Sequence, residues 1–207
     1  MAAAQGHLEG EDGTPLAFRR AVGALRTARV RREVTLEATP APKRLAPYAY
    51  ALEAAVIVEG EELADGRFVL LHDPGEPEEW HGVFRLVTLA RAELEPEMAA
   101  DPLLPEVCWS WLTGALEARG AVYTEVSGTV SRSSSHYFGG LADRADTTQI
   151  EVRASWTPGE TVAGGSDAAA HLAAWCELLC TCAGLPPAVA DPGASGVVSL
   201  PNRRGPR

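Results

Sequence analysis

None of the 207 residues falls in a run of 18 or more apolar side chains, which excludes an ordinary transmembrane helix. The opening segment, MAAAQGHLEGEDGTP, lacks both a basic n-region and an apolar h-region, so no secretory signal is expected. Cysteine is sparse, and three of the four (Cys176, Cys180 and Cys182, with Cys108 apart) crowd one predicted helix instead of stapling loops. Together these absences point to a cytoplasmic chain with reduced, metal-free thiols. Lysine is nearly missing, with Lys43 alone beside 17 arginines. A P-loop, a Rossmann glycine fingerprint, an H-E-x-x-H pair and an EF-hand loop are all absent, so the common cofactor classes lose their usual motifs and no cofactor is expected.

What is present is an ordinary globular composition, 46% hydrophobic and 22% charged, in a length that suits one sizeable core. The net charge of −10 is unevenly spread: residues 15–47 carry +6 and residues 48–106 carry −11. An acidic whole repels nucleic acid at long range, while a local basic patch still attracts phosphate within a Debye length of ~8 Å.

Periodicity sets the elements. Residues 1–14 read as a flexible leader. Thr14 and Pro15 suit an N-cap and first helical position, and Phe18, Val22 and Leu25 line one face of a helix over 15–29. The period then changes to two: Val34, Leu36 and Ala38 alternate with Glu33, Thr35 and Glu37. Further strands are expected at about 49–58, 67–72 and 80–93. The short connections between them allow only hairpins, so the sheet is antiparallel. A helix over 105–118, with Val107, Trp111, Leu112, Ala115 and Leu116 as its stripe, is followed by strands at about 122–131 and 148–156. A last helix over 167–183 is capped by Ser166 or Asp167 and stopped by Gly184. The expectation is one α+β domain over 15–188, a mainly antiparallel sheet of five to six strands with three helices against it, and a disordered tail over 189–207.

The segments LAPYAYAL (45–52), GRFVLLHDP (66–74), DPLLPEV (101–107), GTVSRS (128–133), EVRASWTP (151–158) and HLAAWCELLCTCAGLPP (171–187) carry a resemblance. Together they resemble an actinobacterial family of uncharacterised conserved proteins, the domain of unknown function family 3000. The resemblance covers roughly residues 15–188 and implies a lineage, with no activity or site residues to carry over.

The candidate site with the richest chemistry is the polar stretch 131–146. Arg132, Ser133, Ser134, Ser135, His136 and Tyr137 supply a cation, hydroxyls and an imidazole, and Gly139-Gly140 would let a ligand approach the backbone. Such a loop suits an anion, or in principle a Ser–His pair, although no G-x-S-x-G elbow is present; the plain alternative is a solvated connection. His72, Asp73 and His81 bracket a turn and could ligate a metal, but strand-end hydrogen bonds are the commoner use of such residues. The cysteines lack zinc spacing and read as small apolar side chains. The leading expectation is a non-catalytic binding or regulatory module with an unidentified protein or small-molecule partner and no membrane. The alternatives are a small enzyme using the 131–146 loop and an RNA-associated accessory protein using the arginine-rich N-terminal helix.

The run RRAVGALRTARVRR is read as neutralised within the molecule by the acidic 48–106 block, which disfavours nucleic acid. Replacing Arg26 and Arg29 together by Ala then lowers the melting temperature slightly, more at low salt than at high salt. A low-salt RNA filter-binding assay checks this. Tight binding by the wild type, lost in the double variant, would give these arginines to phosphate instead.

Overall fold

Alternation of apolar and polar side chains decides which way each strand faces, and the turns between strands decide their register. In the computed structural model of the protein, residues 13–99, 101–161 and 165–187 are described. The expected leader, except for its last two residues, and the expected tail over 189–207 lie outside the described residues. In chain order the elements are α1 (Leu16–Thr27), β1 (Val34–Thr39), β2 (Tyr48–Val58), β3 (Glu61–His72), β4 (Phe84–Leu94), α2 (Pro96–Ala99), α3 (Leu104–Ala118), β5 (Tyr123–Ser135), β6 (Thr147–Pro158), β7 (Glu160–Thr161), β8 (Gly165–Ser166) and α4 (Ala168–Cys182). Among the described residues no helix is long and apolar enough to cross a membrane.

Six strands form one open antiparallel sheet in the order β1-β2-β3-β4-β6-β5, with α1, α3 and α4 as its three main helices. This is the α+β single domain that the periodicity implies. The β2–β3 hairpin is as tight as hairpins become: Glu59 and Gly60 alone connect the paired Val58 and Glu61, both with positive φ (54° and 88°). That turn extends β3 back to Glu61, six residues before its expected start. After α3 the chain enters at the sheet edge as β5 and returns inward as β6, which slots between β4 and β5.

Several boundaries differ from the sequence reading. β5 continues through the serine run to Ser135, because its partner β6 supplies pairing at every step from Ser127 to Ser135. α1 starts at Leu16, leaving Pro15 at the capping position with an extended ψ of 137°. Trp80 lies in a short 3-10 turn (Glu78–Trp80) ahead of β4. In α3, Leu104, Cys108, Leu112 and Ala115 form the buried stripe; Val107 is one position out of phase and exposed.

The main core lies between the sheet and the helices, all on one face. α4 is its centre: ten of its 15 residues are buried. Asp167 caps it by accepting the Ala170 N–H at 3.2 Å, and Gly184 at φ 75° ends it. Ala54, Gly66 and Ala90 sit side by side across β2, β3 and β4 and leave a shallow seat for the helix. Trp175 fills that seat, with its indole 5.6 Å from the Phe68 ring. A Cβ on Gly66 would fall 2.7 Å from the Trp175 ring and closer still to the Leu89 carbonyl. Neither neighbour is free to give way. Gly66→Ala is therefore expected to cost about 1–3 kcal/mol in urea unfolding. Gly23→Ala, on the exposed side of α1 with nothing within 4 Å, is expected to add about 0.5–1 kcal/mol. Equal effects at the two positions would contradict the seat.

Candidate ligand-binding site

With the long helices on one face of the sheet, the odd-numbered residues of β3, β4 and β6 point to the other. Part of that outer face is covered by the 40–47 connection and Trp80, which pack on Ala51, Val69 and Leu71. The rest forms two adjoining depressions that share Arg67 and Leu89. The larger, about 670 Å³, lies over β1–β3 and is lined by Glu37, Glu53, Glu62 and Asp65 with Arg91. Asp65 accepts from Arg91 Nε at 3.1 Å, so part of this charge is balanced in place. The smaller, about 390 Å³, has an apolar floor of Val69, Val87 and Leu89 and walls from Ser127, Thr129, Arg153 and Ser155.

Arg85 runs along the sheet surface to the end of this smaller groove. Only 9% of it is exposed. Its guanidinium donates to Thr157 Oγ1 at 3.0 Å and to Ser155 Oγ at 2.8 Å, with Ser127 Oγ at 3.5 Å. Among the described residues no carboxylate comes within ion-pair distance of it. Burial holds its pKa below the ordinary arginine value, opposed by the charge of Glu125. A guanidinium nevertheless stays protonated, so a positive charge is stored under the groove. Arg67 adds a second signal. Its terminal nitrogens reach the Pro40 carbonyl and, at 4.0 Å, Glu53, but its Nε is enclosed without an acceptor.

The hairpin residues singled out by sequence are placed on the β5–β6 edge. Arg132 donates to the Ala99 carbonyl at 2.6 Å and to that of Asp101 at 3.4 Å, tying β5 to the end of α2 and the turn that follows it. Ser134 and Thr148 share a hydroxyl bond at 3.0 Å, and the Tyr137 hydroxyl meets Thr147 at 3.3 Å. His136 Nδ1 lies 2.7 Å from Asp146 Oδ2, both exposed, while Ser133 and Ser135 pair with Gln149 and Thr147 on the free edge. Arg132 apart, these side chains bind the hairpin to itself, and none of them lines either depression.

Other candidates are dispersed. His72 is buried against Phe84 and bonds the Val83 carbonyl at 2.9 Å, Asp73 accepts from the Gly75 amide, and His81 is exposed beyond the turn. Among the described residues no cluster of three His, Cys, Asp or Glu could hold a metal ion. All four cysteines are free and buried, and burial pushes Cys108 and Cys180 up to about 11 and Cys182 up to about 12. The arginines of the N-terminal segment are not neutralised as expected. Among the described residues their ion pairs run from Arg31 and Arg32 to Glu33 and from Arg31 to Glu177, none to an acid in 48–106. α1 packs against α4, and it meets the 48–106 block through rings, Phe18 on Tyr48 and His72 and Arg26 over Tyr50; adjacent blocks of opposite charge need not form ion pairs.

Arg67, Arg85 and Arg153 were not among the sequence candidates, yet a signal for the first two exists. Arg67-Phe-Val69-Leu-Leu71 and Arg85-Leu-Val87-Thr-Leu89 share one spacing, Arg-x-Val-x-Leu. Antiparallel register places Val69 opposite Val87 and each arginine opposite the other strand's leucine. Two cations thus flank an apolar centre on one face. The whole arrangement falls inside residues 14–191, the span matched by the profile of a family described as protein of unknown function (DUF3000). The chain belongs to this family. No curated protein and no solved structure matches it.

The buried histidines of the core are structural, and they give this family member a pH signature. Trp156 Nε1 donates to His171 Nδ1 at 3.1 Å, which requires a neutral ring. Burial depresses His171 to about 4, opposed by the Asp167 charge and a backbone hydrogen bond with Val122. Burial lowers His72 as well, against its Val83 bond and Asp73. Because the folded pKa lies below the unfolded value of ~6.5, the stabilisation is complete above pH 6.5 and is lost as pH falls toward 4. Between pH 7.5 and pH 5, His171 is expected to account for about 2 kcal/mol of lost stability. Urea unfolding at both pH values checks this: His171→Gln should flatten the dependence by that amount, and an unchanged slope would refute it.

Proposed function

We propose that the protein is a non-catalytic cytoplasmic binding module whose ligand docks on the outer face of the sheet. One observation carries the reading: the buried Arg85 guanidinium beside the 390 Å³ groove, held by hydroxyls, with no described carboxylate at ion-pair distance. Burying a guanidinium beside an apolar floor without a carboxylate in contact costs stability, and a bound anion offsets that cost. Neither depression is lined by an imidazole or a thiol, the groups best suited to proton transfer or nucleophilic attack near neutral pH, which favours binding over catalysis.

A second reading, a ligand at Arg132 to Tyr137, draws support from the His136–Asp146 pair and from Phe138 beside it, 81% exposed. Amide chemical-shift mapping against a small-molecule fragment library separates the two. Perturbations are expected along β3, β4 and β6 and should vanish in Leu89→Glu. Shifts confined to residues 132–146 and unaffected by that substitution would transfer the site to the hairpin.

A further inference from the structure

We infer that the smaller groove takes an amphipathic organic acid, one anionic oxygen group on an apolar body; this rests on the outer face being the binding surface. The hydroxyl pattern at the groove's end carries the assignment. Arg85 can only donate, so Thr157, Ser155 and Ser127 accept from it and must direct their own protons elsewhere. Thr157 gives its proton to the Trp80 carbonyl. Ser127 and Ser155 stand 3.4 Å apart, so one can donate to the other and the second keeps a free proton. Both line the groove. The arginine thereby leaves one serine hydroxyl as a donor free to face the cavity, an arrangement suited to an oxyanion.

Charge and shape narrow the class further. Arg67 and Arg153 border the groove; Arg153 pairs with Glu151 at 2.7 Å and Arg67 more loosely with Glu53 at 4.0 Å, which leaves Arg85 without a carboxylate at ion-pair distance among the described residues. The surplus is positive and small. A polyphosphate would meet the carboxylates Glu37, Glu53, Glu62 and Asp65 of the adjoining depression, which repel multiple negative charge. Val69, Val87 and Leu89 instead offer the rest of the ligand an apolar bed. At roughly 30 Å³ per non-hydrogen atom the groove suits a body of about a dozen such atoms.

Fluorescence titration of the full chain with anilinonaphthalene sulfonate, and with its uncharged relative phenylnaphthylamine, tests the assignment. The sulfonate is expected to bind at one site, roughly tenfold or more tighter than the neutral probe, the size of one charge-assisted hydrogen bond. Arg153→Gln and Ser155→Ala should each weaken the sulfonate without changing the neutral probe, and neither should alter the far-ultraviolet circular dichroism. Leu89→Glu should abolish both. Equal affinities, or a sulfonate indifferent to Arg153→Gln and Ser155→Ala, would overturn the anionic class while the outer face stands if Leu89→Glu still removes both probes. Absence of sulfonate binding would overturn it outright. Binding of both probes that survives Leu89→Glu would overturn the outer-face reading as well.

Discussion

The close approach of α4 to the sheet is the constraint on which the remaining structure depends. A helix with ten buried residues can be covered only if it lies almost against the strands, and the row Ala54, Gly66, Ala90 makes that possible. Once Trp175 is seated, α1 and α3 close over the flanks of α4. Its side chain Glu177 then accepts from Arg119 at 3.2 Å and pairs with Arg31 at 3.6 Å, joining the chain after α1 and the end of α3 to the central helix. The indole Nε1 of Trp175 finds no hydrogen-bond partner there. Packing outweighs the ~1–3 kcal/mol that such an orphan donor costs.

Putting the long helices on one side has a direct consequence for chemistry. Each strand of a one-sided sheet must display alternate residues outward, and where the described residues place no second layer over them those positions serve solvent contact or a ligand. Here the outer positions are neither uniformly polar nor uniformly apolar. They combine a hydrophobic strip with arginines and hydroxyls, and one guanidinium is sequestered where bulk water reaches it poorly. Solvation alone does not call for that combination, whereas recognition of a charged, partly apolar molecule does.

Much of the architecture was legible because alternation and helical stripes are local. Val34, Leu36 and Ala38 announce β1, and Leu172, Trp175 and Leu179 announce α4, whatever surrounds them. The serine run of β5 was not legible as strand, since its polar residues acquire extended structure from pairing with β6 and not from propensity. Val107 and Cys108 were exchanged because both are apolar, Val107 stands at helical spacing from Trp111, and one position is 100° of helix. The groove was illegible for a deeper reason. Arg67 and Arg85 become neighbours of a groove only after the helices have chosen the opposite face, and that choice belongs to tertiary packing.

The four thiols acquire a further meaning from their position under the helical layer. Cys108 on α3 and Cys176, Cys180 and Cys182 on α4 are all enclosed, and burial keeps them protonated. Alkylating reagents and oxidants react with thiolate, so these sulfurs are shielded twice, by access and by ionisation. Their modification must wait until α3 and α4 part from one another or from the sheet. The rate at which a reagent labels them therefore measures how often this layer opens, and it does so with residues the chain already has. Where the surroundings turn oxidising, damage falls first on molecules caught open, and the lifetime of the protein is set by the stability of its helical cover.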